Sequence, residues 1–177
     1  MFLFHYSSFC EKYFTRNEGY QVTRELSKYG DLTSGRLPNS DNDGLFTGLY
    51  CAAQCFRYKV TGDEKAKANA KRAVEAMIKL TEVTGKAGFT ARATRYSHEP
   101  DFGTGNREEW HICPENPDCE WLGETSSDEM TGHYFAYGIY YDLVADKKEK
   151  KKIAQVVKTI TDHIIDNNFH LTDVDGV

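Results

Sequence analysis

The sequence predicts an all-α fold, a partial (α/α) toroid of helical hairpins whose inner and outer helices alternate, joined by short extended segments. Three observations predict it. Two segments are apolar nearly all round, each is followed by an amphipathic segment, and the pair occurs twice. Thr47-Gly48-Leu49-Tyr50 in the first apolar segment is matched by Thr131-Gly132-His133-Tyr134 in the second. A helix that is apolar on every side belongs inside a fold, and one with a single stripe lies against it. The repetition therefore reads inner helix, outer helix, short extended piece, twice over.

Residues 1–36 form an N-terminal segment that reads as partly irregular. Met1 to Tyr6 is apolar but lacks the cationic lead, long apolar run and small-residue cleavage site of a signal peptide, and the compartment stays open. Residues 37–177 hold the two hairpins. In the first, Leu45 to Val60 carries Leu45, Leu49, Ala52, Phe56 and Val60 at helical spacing, with Phe46, Tyr50 and Ala53 on the opposite side. Thr61-Gly62-Asp63 breaks the chain. Glu64 to Thr84 then resumes with a narrow stripe of Ala66, Ala70, Ala73, Met77 and Leu80 against a wet side rich in Lys and Glu. Gly88 to Arg92 reads as extended.

The second hairpin repeats the order. Asp128 to Ala145 is the apolar helix, Asp146 the break, and Lys147 to Asn167 the amphipathic helix, through Ile153, Val156, Val157, Ile160 and Ile164. Phe169 to Asp173 is again extended, and Asp175-Gly176 reads as a hairpin turn that should lead into a further strand. Two hairpins do not close a ring, so the chain reads as part of a longer protein, truncated at its C-terminal side. An open ring leaves inner helices uncovered, and self-association through them is expected.

The totals exclude several function classes. With 27 acidic and 22 basic residues, the net charge of −5 argues against nucleic-acid binding, which needs concentrated Lys and Arg. The run Lys147 to Lys152 reads as a solvated helix face. No apolar stretch reaches the ~18 residues of a membrane span, so no membrane contact is expected. Gly103-Thr104-Gly105 lacks the flanking strand and helix of a nucleotide motif, and no cofactor is expected. Asn39 to Gly44 imitates the front of a calcium loop, but its twelfth position is Tyr50 instead of Glu. Of the five cysteines, Cys51 and Cys55 read as small helix-core hydrophobes. Cys113 and Cys119 bracket Pro-Glu-Asn-Pro-Asp and would close as a loop disulfide in an oxidising compartment. Neither pair has the spacing usual for structural zinc, and no metal is expected.

Both apolar helices open on acids after a hydroxyl residue: Ser40-Asp41-Asn42-Asp43 and Ser126-Ser127-Asp128-Glu129. Each fits a capping box, which is the structural reading. The functional reading uses the repeat, which places both helix starts at one end of the ring. Asp43, Asp128 and Glu129 are then candidate catalytic carboxyls, since glycoside hydrolysis needs one protonated and one ionised group. Asp41 would bind substrate at the same mouth. The long connection from Thr90 to Glu124 adds Arg92, suited to a uronate carboxylate, and Trp110 and Trp121, whose indole faces match a sugar ring. His133, Tyr134 and Tyr137 suit proton abstraction beside a uronate carboxyl, the chemistry of a lyase.

The stretch Asp41 to Gly48, the Thr-Gly-Asp at 61–63 and the block Trp121 to Asp142 resemble an uncharacterised bacterial family whose members look like six-hairpin glycosidase-like (α/α)6 toroids. The resemblance spans about residues 37–176, and Thr125-Ser126-Ser127-Asp128-Glu129 is its most distinctive part. It implies a toroid and a carbohydrate substrate, without fixing the reaction. Glycoside hydrolysis on oligo- or polysaccharide leads. A polysaccharide lyase acting on uronates and a non-catalytic helical-repeat binding module or inactive fragment are the alternatives.

Overall fold

The computed structural model describes residues 2–176, with side chains from Tyr6 onward apart from that of residue 17. Met1 and Val177, the outer ends of the two expected segments, lie outside the described residues, as does any strand beyond the turn at Asp175-Gly176. Helix α1 spans Phe2–Tyr13 and is followed by irregular chain. The two apolar and two amphipathic segments are helices: α2 Asp43–Thr61, α3 Glu64–Glu82, α4 Ser127–Leu143 and α5 Lys147–Asp166.

Local chemistry sets the breaks between them. Gly62 takes a left-handed φ of 66° and returns its N–H to Tyr58 O at 2.7 Å, which ends α2. Asp63 then accepts from the Lys65 N–H at 2.9 Å to start α3. At α5, Asp146 accepts from the Lys148 and Glu149 N–H groups, and Glu149 Oε2 accepts from the Asp146 N–H at 2.9 Å. That is a complete capping box.

The fold is nevertheless mixed, and the expectation of an all-α toroid is wrong. The connection between α3 and α4 carries an antiparallel sheet of β1 (Ala93–Tyr96), β2 (Trp110–Cys113) and β3 (Asn116–Leu122), in the order β1-β3-β2. Thr94 pairs with Trp121, and His111 pairs with Trp121 from the other side. The strands escaped the sequence reading because they are short and interrupted. A polar insertion separates β1 from β2, and Pro114 and Pro117 mark the hairpin tip as a loop. The two pieces expected to be extended, residues 88–92 and 169–173, are not strands.

The sheet changes what α3 is. One side of α3 packs with α2 and α4 in a core containing Cys51, Ala70, Ala73, Met77, Ala136, Tyr137 and Ile160. Its other side, through Ala76 and Leu80, meets Phe89, Ala91, Cys113, Cys119 and Trp121 together with Tyr20 and Val22. A helix read as outer is thus covered twice. Helix α2, read as inner, leaves Leu49, Phe56 and Val60 exposed along one side.

Helices α2 and α4 touch at the repeated Thr-Gly pairs. A Cβ on Gly48 would fall 2.6 Å from Gly132 O, and one on Gly132 would fall 2.7 Å from Leu45 Cα. Only glycine permits so close a crossing. Each neighbouring threonine folds its hydroxyl back on its own helix, Thr47 to Asp43 O at 2.5 Å and Thr131 to Ser127 O at 2.9 Å. Among the described residues, no helix is long and apolar enough to cross a membrane.

Candidate functional site

The glycine crossing brings the start of α2 against the start of α4, so their acidic residues are neighbours. Asp43, Glu129 and His133 are fully buried there. Glu129 occupies the capping-box position after Ser126 but does not reach back to it. Its carboxyl turns inward, and a Cβ on Gly44 would fall 2.4 Å from Glu129 Oε2 and 2.5 Å from His133 Nε2. Gly44 is what makes room for both side chains.

Burial sets the protonation states. Glu129 is pushed up to about 8, first by loss of solvent and then by the Asp43 charge, against a smaller pull from the Leu45 N–H. Among the described residues, neither Glu129 oxygen has a partner in full hydrogen-bond geometry, the Leu45 N–H included. A carboxylic acid is therefore held neutral at pH 7. Burial also lowers His133 to about 4, so its ring is neutral too. His133 Nδ1 lies 3.1 Å from the Tyr137 hydroxyl, while Nε2 has no hydrogen-bond partner among the described residues.

Asp43 has the opposite surroundings. Arg16 donates to its Oδ2 at 3.0 Å, and the Ser40 N–H and hydroxyl donate to Oδ1 at 2.9 Å each. Burial still raises Asp43 to about 6, with Arg16 the main opposing influence. The same guanidinium donates to Thr94 O at 2.8 Å, tying the site to β1. The expected capping box is half formed: Asp43 reaches back to the Ser40 N–H, but the Ser40 hydroxyl donates to Asp43 and accepts from the Asn42 N–H at 3.2 Å, and Asn42 is the cap residue.

At the same helix starts, Asp41 and Asp128 are exposed and Arg92 is half-buried. Arg92 donates through Nε to Asp41 O at 2.8 Å and through one terminal nitrogen to Glu124 O at 3.1 Å. It straps the chain entering α2 to the chain entering α4. Asp128 is exposed beside this strap and held below the usual carboxylate range, first by the Ser126 hydroxyl that donates to it. Asp173 supports the same corner by accepting the Glu124 N–H at 2.8 Å.

The other expected binding residues lie elsewhere. Trp110 is buried beneath the Arg95 guanidinium, 4.0 Å from its ring centroid, and donates to Thr104 O at 2.7 Å. Trp121 is sealed between Phe89 and His111, whose ring centroid is 4.5 Å away. Neither indole offers a face to a sugar. The Tyr134 hydroxyl lies 2.9 Å from Thr161 Oγ1 on α5, and Tyr137 is in the core. The structure thus gathers Asp43, Glu129, His133 and Tyr137 inside, and Asp41, Arg92 and Asp128 at the surface by the same helix starts.

Sequence reasoning missed Arg16 and Gly44. Arg16 sits alone in irregular chain with no pattern to mark it, and Gly44 read only as the end of the calcium-loop-like run and as part of the stretch that carries the family resemblance. Among the described residues, no group of three metal-ligating side chains is placed to hold an ion. Comparison with known proteins adds nothing to this geometry: no family model, curated protein or solved structure matches the chain.

Proposed function

We propose that the chain is a carbohydrate-active protein of glycoside hydrolase type, with Glu129 as proton donor and Asp128 as its ionised partner. One observation carries the reading. Adjacent carboxyls at the start of α4 are driven apart, Glu129 up to about 8 and Asp128 down. Hydrolysis of a glycosidic bond needs that pairing, a neutral acid for the leaving oxygen and a carboxylate for water or the sugar carbon. Asp43 supplies charge that keeps the Glu129 proton in place, and Arg92, between the chain entries to α2 and α4, would grip a substrate carboxylate. The likeness of the 121–142 block to glycosidase-like proteins supports the same class.

The full burial of Glu129 favours a second reading, a non-catalytic helical module in which these groups are a polar junction between helices. Hydrolysis requires the starts of α2 and α4 to part. The test is a panel of neutral and uronate-containing oligosaccharides, scored for new reducing ends and for the unsaturated products of a lyase, with thermal melts alongside. Turnover lost in Glu129→Gln and Asp128→Asn at retained stability supports the hydrolase. A wild-type chain inert on the whole panel, or variants that keep full activity, leaves the junction reading.

A further inference from the structure

The β2–β3 hairpin carries a second chemical feature, independent of the acids. Ile112 pairs with Glu120, so an unbroken ladder would set Cys113 opposite Cys119. The register slips there, and Cys113 pairs with Asn116 instead. Ile112 faces solvent while both cysteines point to the buried face, against α3. The two side chains thus share one side of one hairpin tip.

They also share a pocket. A cavity of about 620 Å³ opens between the last turns of α3 and the hairpin, lined by Lys79, Val83, Pro114 and both cysteines. Its rim residues Glu75, Glu82, Glu115 and Asn116 are exposed, while Cys113 and Cys119 line it with only 4% and 2% of their surface open to solvent. The thiols are unequal. A hydrogen bond from Cys113 lowers Cys119, helped by the nearby Lys79 ammonium, whereas the same bond and burial raise Cys113. An attacking thiol and a resolving thiol differ in this way.

We propose that Cys113 and Cys119 form a thiol–disulfide exchange site that takes a small, neutral or cationic disulfide into this pocket. The acidic rim disfavours anionic disulfides. Cys119, as thiolate, attacks one sulfur of the small disulfide, forming a mixed disulfide and releasing one thiolate. Cys113 loses its proton to solvent and attacks the Cys119 sulfur, closing the protein disulfide and releasing the second thiolate. The small disulfide is reduced to two thiols as the protein pair is oxidised, so atoms and electrons balance.

The experiment uses bis(2-hydroxyethyl) disulfide on the native chain, followed by an acid quench, alkylation and intact mass. Cleavage after Glu115 separates the two cysteines onto different peptides unless a disulfide joins them. The expected wild-type product has three alkylated thiols of five and a cross-link between the peptides bearing Cys113 and Cys119. Cys113→Ser should stop at a stable mixed disulfide on Cys119, and Cys119→Ser should leave Cys113 unmodified over the same time. Five alkylated thiols, a cross-link elsewhere, or a persistent mixed disulfide on the wild type overturns the proposal. Circular dichroism checks both serine variants, and if either is unfolded the wild-type digest alone decides.

Discussion

His133 Nε2 stands 3.9 Å from Glu129 Oε2, one turn along α4, with both side chains closed off from solvent. The separation is too long for a hydrogen bond, and neither atom has another hydrogen-bond partner among the described residues. Two neutral groups tolerate that arrangement at modest cost, whereas a charged pair would be drawn together. The pair is therefore best understood as protonated carboxyl and neutral imidazole.

That assignment fixes how stability depends on pH. Glu129 is raised from 4.5 to about 8, so its contribution is complete below the unfolded value and is lost as pH rises towards 8. His133 is lowered from 6.5 to about 4, so its contribution is complete above 6.5 and is lost as pH falls towards 4. Asp43, raised to about 6, acts in the Glu129 direction but at lower pH. Between pH 6.5 and 8 Glu129 dominates, and stability should fall by on the order of 1–2 kcal/mol. Denaturant titrations across that window should show the slope in the wild type and its loss in Glu129→Gln. A flat wild-type profile would mean that Glu129 is ionised.

Glycine substitutions should separate the site from the crossing. Gly44→Ala would press a methyl group into Glu129 and His133, at ~1–3 kcal/mol. Gly48→Ala meets the backbone of α4 and should cost at least as much. Gly138, also helical, has open space around it, and Gly138→Ala should stabilise by ~0.5–1 kcal/mol. Equal effects at all three positions would contradict the close packing.

The Arg92 strap makes a kinetic prediction. Arg92→Ala removes the donors to Asp41 O and Glu124 O, which lie on separate chain entries. Amide exchange should quicken at residues 41–47 and 124–130 while α5 keeps its protection, with a global loss of ~0.5–2 kcal/mol. Exchange that quickens uniformly would show the strap to be ordinary scaffold.

How much of this was legible follows from range. Helices α2 to α5 repeat apolar positions over many residues, so periodicity and the breaks at Gly62 and Asp146 marked them. The strands gave four to seven residues each, too few for alternation to stand out beside prolines. Glu129 was legible as a candidate because the Ser126 to Glu129 pattern flags a helix start, yet the same pattern predicted a cap that does not form. Its inward turn depends on Gly44, from a helix more than eighty residues away. Trp110 and Trp121 were misplaced for a related reason. Composition marks an indole as able to stack on a sugar but does not show which strand face it occupies.

The Arg16–Asp43 pair tests whether the buried acids are held by charge. Both side chains are almost wholly buried, and Arg16 is the main influence lowering Asp43 against burial. Breaking such a pair from one side strands the other charge and costs ~3–5 kcal/mol. Arg16→Met should therefore destabilise strongly at pH 8. Without the guanidinium, the Asp43 pKa rises further above its unfolded value, so its stabilising contribution survives at low pH and is lost as pH increases. The Arg16→Met penalty should shrink at pH 5, where Asp43 takes up a proton. Adding Asp43→Asn removes the stranded charge while keeping an acceptor for the Ser40 donors. The double variant should recover part of the loss at pH 8, leaving the cost of the bonds that Arg16 makes to Thr94 O and to Glu99. Urea titrations of the two single variants and the double variant at both pH values complete the cycle. Losses that simply add, with no pH dependence in Arg16→Met, would show that Arg16 supports this corner by packing alone.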